Sequence, residues 1–233
     1  MKQSLLKIQL PPGAPPLRSG QFRELLAKGG DGSRLLPPEF FHYGPDGRPL
    51  SSGEPEIRVV GAATWVGLLG MKENSEMFDA AVGIAARIAG KHYGRALPIN
   101  VEIIEFGLSA TEYPVTYYLR DMAIKRRGQA ARTQPIEKLT RDRLEQGLAR
   151  SARRCGFDLP TSERLGITFH SLREIGMQLW TKDGPTKEFV GLVSAEFSMH
   201  LALDGMWQVG NLQARGHGRI IRKGSWNGAG ATE

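Results

Sequence analysis

Cysteine is almost absent from this 233-residue chain, which contains only Cys155. A single thiol excludes an internal disulfide and any zinc site that is built from several cysteines. The five histidines are scattered, without the His-x-x-x-His spacing or the flanking carboxylates that zinc sites use. We therefore expect no metal ion and no other cofactor. The histidines are His42, His92, His170, His200 and His217.

Long apolar runs are missing as well. No stretch approaches the roughly 20 residues that a helix needs to cross a bilayer. The N-terminal segment meets Pro11 and Pro12 too early for a secretory signal. We therefore expect a cytoplasmic protein without a membrane partner. The chain is long enough for one large domain or for two domains of about a hundred residues.

Acidic residues are few in one segment, residues 120–154. It holds eleven Lys or Arg and four Asp or Glu, a surplus of seven that equals the net charge of +7 of the whole chain. Such a concentration of charge favours a surface that binds a polyanion. We predict a helix from Pro135 to Cys155, with Leu144, Leu148, Ala152 and Cys155 on its apolar side and Arg143, Arg150 and Arg154 on another. A solvated helix with spare arginines is the alternative.

The first hundred residues predict the element order βαββαβ. Apolar β-branched runs indicate the strands, and apolar residues at helical spacing indicate the helices. This order is the ferredoxin-like arrangement that RNA-recognition modules also use. The predicted strands cover 5–10, two strands within 57–70, and 99–106; the predicted helices cover 20–28 and the segment from Asn74 to Gly90.

The second half of the chain predicts strands after Pro160. Apolar and polar residues alternate from Val193 to Leu201, as in a half-buried strand. Residues 204–212 read as a short helix or turn. The sequence RGHGRIIRK (215–223) then predicts a glycine turn and a basic final strand. We expect its glycines to turn N–H groups toward a phosphate, with Arg215, Arg219 and Arg222 adding charge; a tight turn without a ligand is the alternative.

One stretch of about thirty-five residues carries a family resemblance. A strand that opens with Phe189 and Gly191 leads to a short helix with Trp207 and then to Val209 and Gly210. The turn of Gly216, His217 and Gly218 follows, and then a last strand with Arg219 and Ile220. This order resembles the C-terminal signature of the CRISPR repeat-RNA endoribonucleases, the sixth Cas family of the RAMP superfamily. The small size and the arginine-rich segment are similar to the type IV branch. The chain departs from the family at His217, where an aromatic or aliphatic residue is more usual. The matching residues are Phe189, Gly191, Trp207, Val209, Gly210, Gly216, His217, Gly218, Arg219 and Ile220.

The resemblance implies an α+β fold with two ferredoxin-like, RRM-like RAMP halves, a basic helical insert and a C-terminal glycine-rich loop. The predicted domains are an N-terminal ferredoxin-like domain (1–110), a linker with the basic insert (111–160) and a C-terminal ferredoxin-like half (161–233). The resemblance also implies a metal-independent endoribonuclease that processes CRISPR precursor RNA by 2′-hydroxyl attack. Its partners would be the repeat RNA hairpin and other subunits of a CRISPR effector complex.

Two other functions remain open from the sequence. The chain could be a non-catalytic RAMP subunit that grips guide RNA in an effector complex, or a ribosome-associated or other RNA-binding module.

The candidate catalytic residues are Arg23, Arg34, His42 and Tyr43, because histidine and tyrosine can move protons and arginine can stabilise a phosphorane. Buried packing of the segment FFHY and an arginine-only site are alternatives, and His217 is a further candidate. The candidate RNA-binding residues are Arg126, Arg127, Arg141, Arg143, Arg150, Arg153, Arg154, Arg215, Gly216, His217, Gly218, Arg219 and Arg222.

Overall fold

In the computed structural model, two antiparallel sheets form the framework of the chain. The contacts divide the described residues into a first unit, which contains 1–105 and Gly216, and a second unit, which contains 106–213 and 217–224. None of the helices in the described parts of the chain is long and apolar enough to cross a membrane. The structure describes residues 1–28, 36–41, 55–71, 76–125, 134–154, 156–181, 184–213 and 216–224.

The first unit has the predicted βαββαβ order. Its sheet has the strand order β2-β3-β1-β4, with every neighbouring pair antiparallel, which is the ferredoxin-like topology. A short 3-10 turn, Pro38–Phe41, follows the first helix. The elements are β1 (Lys2–Gln9), α1 (Ser19–Lys28), β2 (Ile57–Gly61), β3 (Trp65–Gly70), α2 (Glu76–Tyr93) and β4 (Ile99–Glu105).

The core of the first unit lies between its helices and one face of its sheet. Phe22 and Leu26 of α1 and Phe78 of α2 are buried against sheet residues such as Leu6 and Val59. These positions follow the helical and the two-residue periodicities of the sequence. The helix predicted to stop at Gly90 runs on to Tyr93, because one glycine costs a helix only about 1 kcal/mol.

The second unit repeats the strand order of the first unit and adds one strand. Its sheet order is β6-β7-β5-β9-β8, so β6, β7, β5 and β9 take the same places as β2, β3, β1 and β4. Among the described residues, no α-helix separates β7 from β9, and residues 204–212, predicted as a short helix or turn, include the two-residue strand β8. The elements are β5 (Gly107–Lys125), α3 (Ile136–Arg154), α4 (Ser162–Leu165), β6 (Thr168–Thr181), β7 (Gly184–Asp204), β8 (Trp207–Gln208) and β9 (Arg219–Arg222).

The basic helix predicted from Pro135 to Cys155 is confirmed as α3. Leu144, Leu148 and Ala152 are fully buried, as their spacing predicted, and Cys155 lies outside the described residues. Residues 107–154, which the sequence divided among the first domain, a linker and an insert, supply β5 and α3 of the second unit. The domain boundaries at 110 and 160 stay predictions.

Strand β5 is interrupted by two irregularities. Its pairing with β7 shifts register between Ala110 and Val115 and again between Leu119 and Met122. The second shift contains Asp121, a non-glycine residue with a positive φ of 49°. Bulges of this kind bend a strand and redirect its side chains, and they are common beside functional sites.

Tyr117 on β5 tests the packing of the second sheet. Its buried hydroxyl donates to the carbonyl oxygen of Leu201 and accepts from the N–H of Leu203, both at 2.9 Å. Tyr117→Phe leaves both backbone groups without this partner, so we expect a loss of about 1–3 kcal/mol in the free energy of unfolding in urea. Tyr118→Phe, at a more exposed position, is the control and should change it by less than about 0.5 kcal/mol. Equal losses would contradict this role.

Candidate nucleic-acid interface

The glycine-rich segment before β9, residues 216–218, contacts the second irregularity of β5 through Gly218. The Gly218 N–H donates to the carbonyl oxygens of Arg120 at 3.0 Å and Asp121 at 3.2 Å, and the Val209 N–H donates to the Gly218 carbonyl at 2.8 Å. The φ of Gly218 is +77°, and a Cβ at this position would lie 1.8 Å from the Val209 carbonyl oxygen. Glycine is therefore required at 218 by the protein's own packing.

Gly216 shows a close approach of the same kind within the first unit. Its φ is +85°, and a Cβ would lie 2.8 Å from the Ser19 Cβ and 3.0 Å from the Val59 carbonyl oxygen. The sequence predicts that these glycines turn N–H groups toward a phosphate. For Gly218 that prediction is wrong, because its N–H donates to the carbonyl oxygens of Arg120 and Asp121. Their assignment to RNA binding stays a prediction.

Two arginines face each other next to this turn. Arg219 at the start of β9 is the cross-strand partner of Arg120 on β5. Arg120 is exposed and Arg219 is half-buried. Burial, together with the charge of Arg120, lowers the pKa of Arg219 to about 10. Like charges directly opposite each other destabilise a sheet, and an anion such as a phosphate would relieve this repulsion.

Sequence reasoning missed Arg120 as a candidate site residue. It was counted among the basic residues of 120–154, but the pairing of β5 with β9 makes it a neighbour of Arg219. The signal that could have found it is the alternation of β5, which sets Tyr118 and Arg120 on one face. Arg222, at the end of β9, is exposed, and His217 is half-buried; Arg215 lies outside the described residues.

The arginines of α3 divide into two groups. Arg141 is used in packing, because its guanidinium donates to the Ile167 carbonyl oxygen, pairs with Glu137 at 3.2 Å and lies 5.3 Å from the Phe169 ring centroid. Arg143 is half-buried and donates to Gln146 at 3.1 Å. Arg150 and Arg153 are exposed. Arg126, Arg127 and the side chain of Arg154 lie outside the described residues.

Arg23 is the candidate catalytic residue that the structure describes. It is half-buried on α1, next to the buried Phe22. Its guanidinium donates to the Phe41 carbonyl oxygen at 2.7 Å and lies 5.5 Å from the centroid of the Phe41 ring. Phe41 is buried and precedes His42 directly. Arg34, His42 and Tyr43 lie outside the described residues, so their roles stay predictions.

Comparison with known proteins finds one family over nearly the whole chain. The model of the type IV CRISPR-associated endonuclease Csf5 matches residues 1–225. A solved structure described as "Csf5, CRISPR-Cas type IV Cas6 crRNA endonuclease" is 31% identical, covers 95% of this chain and 99% of its own, and superposes with a TM-score of 0.81. A Cas6b crystal structure, 14% identical, covers 95% of this chain and all of its own with a TM-score of 0.62, a likeness of fold. A search of the curated proteins finds no match.

A pair of glycine variants tests why residue 218 has no side chain. Gly218→Ala and Gly13→Ala both force a side chain into a positive φ, but the Cβ at Gly13 would meet nothing within 4 Å. We expect Gly13→Ala to cost about 1–2 kcal/mol and Gly218→Ala to cost at least about 1 kcal/mol more, because its neighbour is backbone. Urea unfolding measures both, and equal losses would show that the close approach is not what requires glycine.

Removing the charge of Arg120 should change protein stability and RNA binding in opposite directions. Arg120→Gln removes the repulsion with Arg219, so we expect the free energy of unfolding of the RNA-free protein to rise by about 0.2–1 kcal/mol. The same variant should bind RNA more weakly, with the slope of log K against log salt reduced by about 0.7 on single strands. Arg87→Gln, at an exposed position of α2, removes the same charge and should change neither. Matching behaviour of the two variants would remove the arginine pair from the site.

Proposed function

Because the chain belongs to the family of the type IV CRISPR-associated endonuclease Csf5, we propose that it cuts CRISPR precursor RNA within the repeats without a metal ion. The observation that carries this proposal is the match over residues 1–225, together with 31% identity to a protein described as a crRNA endonuclease. After cleavage the protein stays bound to the hairpin that it has released.

The proposed reaction is an internal transfer on the RNA. The ribose 2′-oxygen attacks the adjacent phosphorus, the bond from phosphorus to the 5′-oxygen breaks, and a 2′,3′-cyclic phosphate forms. A base takes the proton of the 2′-hydroxyl, and an acid gives a proton to the leaving 5′-oxygen. Positive charge near the phosphate stabilises the phosphorane. Each of these needs can be met by protein side chains.

Arg23 is the residue that we assign to the phosphorane. Its contacts with the carbonyl and the ring of Phe41 fix the guanidinium in one place, and a guanidinium offers five N–H donors in a planar fork that suits phosphate. A charge that is already positioned needs no reorganisation when the transition state forms. Arg34 is proposed to add a second positive charge.

His42 and Tyr43 are proposed as the groups that move protons. His42 follows Phe41 in the chain. The contact between Arg23 and Phe41 therefore lies one residue from His42. Histidine exchanges protons near neutral pH. A wild-type cleavage rate in His42→Ala would favour instead a site built from arginines alone or one that uses His217.

Binding of the repeat is proposed to use the second unit. Arg150 and Arg153 are exposed on α3, and the pair Arg120 and Arg219 concentrates charge on the second sheet. Phosphate contacts of this kind suit the shape-based recognition of an A-form hairpin. Other subunits of a CRISPR effector complex are proposed as further partners.

A cleavage assay on the cognate repeat RNA tests the proposal. We expect cutting in EDTA, a 2′,3′-cyclic phosphate product, and no cutting of RNA with 2′-deoxyribose at the scissile nucleotide. His42→Ala and Arg23→Ala should slow single-turnover cleavage by about 10²–10⁴-fold with much smaller changes in RNA affinity. Arg23→Lys keeps the charge but loses the fork, so its rate should also fall.

Arg18→Ala is the matched control for Arg23, because it removes an exposed arginine from the residue just before the same helix. Its cleavage rate should equal that of the wild type, and thermal unfolding should show that the Arg23 variants are folded. Cutting of the deoxy substrate would exclude 2′-hydroxyl attack. A wild-type protein that binds the repeat and never cuts it would be a non-catalytic RAMP subunit.

A further inference from the structure

An open groove of about 590 Å³ lies at the first irregularity of β5. It is lined by residues 111–116 and by Arg222 and Lys223 at the end of β9. The groove is largely open to solvent rather than enclosed, so it suits one part of a long ligand better than a buried small molecule. Its lining is polar and charged, apart from Tyr113, Pro114 and Val115.

The groove exists because β5 carries extra residues at this point. Ala110 pairs with Leu201 and Val115 pairs with Met199, so residues 111–114 stand opposite His200 alone. The His200 Nδ1 donates to the carbonyl oxygens of Glu112 at 3.1 Å and Thr111 at 3.4 Å. These bonds hold the bulge in a defined conformation, since its carbonyl groups lack the regular ladder partners.

The side chains at the groove are of the aromatic and cationic kinds that bind single-stranded RNA. Tyr113 is 73% exposed, an unusual degree for so large a ring. Beside it lie Arg222, which is exposed, and Lys223, whose backbone N–H donates to the Thr116 carbonyl at 2.8 Å. The Lys223 Nζ lies 2.5 Å from Glu196 and 5.8 Å from the centroid of the Tyr118 ring. Two cations and an exposed ring thus share one open groove.

We infer that this groove binds one unpaired nucleotide of the RNA, with its base stacked on Tyr113 and its phosphate beside Arg222 and Lys223. The inference rests on the proposed function, because it adds a second contact to the same RNA. Aromatic side chains that flank a positively charged groove are the usual platform for single-stranded nucleic acid. Paired bases could not stack on the ring, because their faces are already covered by their neighbours.

The charges of the groove lining give a test of its occupant. Arg222 and Lys223, at the end of β9, are its cations. Glu112 supplies the carboxylate of the lining. If the occupant is a polyanion, removing the charge of Glu112 should change the binding affinity in the opposite direction to removing the charge of Arg222.

The test is an abasic scan of the cognate repeat RNA with full-length protein, measured by fluorescence anisotropy. Tyr113→Ala should weaken binding by about 5- to 150-fold, as expected for about 1–3 kcal/mol per stacked base. One abasic position should weaken wild-type binding to a similar extent, and Tyr113→Ala should be insensitive at that position. Tyr113→Phe keeps the ring and should bind within about twofold of the wild type.

The charged residues of the groove provide matched variants. Arg222→Gln should weaken binding, whereas Glu112→Gln should leave it unchanged or strengthen it, with the difference shrinking at high salt. If Tyr113→Ala binds every RNA as the wild type does, with the same abasic profile, the inference is overturned while the proposed function stands. If the wild type neither binds nor cuts the repeat, both fail.

Discussion

The hydrogen bonds from the Gly218 N–H to the carbonyl oxygens of Arg120 and Asp121 set the geometry of the second unit's candidate site. They join the glycine-rich segment to the bent part of β5, where Asp121 has a positive φ. Because β9 begins at the next residue, the same contact fixes the register of β9 on β5. Glycine is needed there for two reasons: the backbone has a positive φ, and Val209 leaves no space for a Cβ.

That register has an electrostatic consequence. It sets Arg219 opposite Arg120, and burial with the neighbouring charge lowers the pKa of Arg219 to about 10. We expect such a pair to destabilise the free protein, whereas a bound phosphate would turn the same two charges into charge-assisted contacts. The arrangement is typical of a site whose local stability is lower without its ligand than with it.

The two irregularities of β5 lie at the two candidate binding features of the second sheet. The irregularity between Leu119 and Met122 receives the glycine-rich segment, and the one between Ala110 and Val115 forms the groove with Tyr113. A regular strand would pair its backbone fully with β7 and would form neither feature. In the first unit, the corresponding constraint is local: Arg23 is held by the carbonyl group and ring of Phe41.

The sequence by itself determined the elements of the fold. Apolar spacing placed α1, α2, α3 and the strands of the first unit, because helical and strand periodicities arise from residues that are close in the chain. Charge counting likewise marked residues 120–154. Only the tertiary structure decided that Arg141 packs on Phe169, that the Gly218 N–H faces Arg120, and that residues 111–114 bulge beside Arg222. Periodicity shows which face of a strand is buried, but the partner of each backbone group depends on the register between segments far apart in the chain.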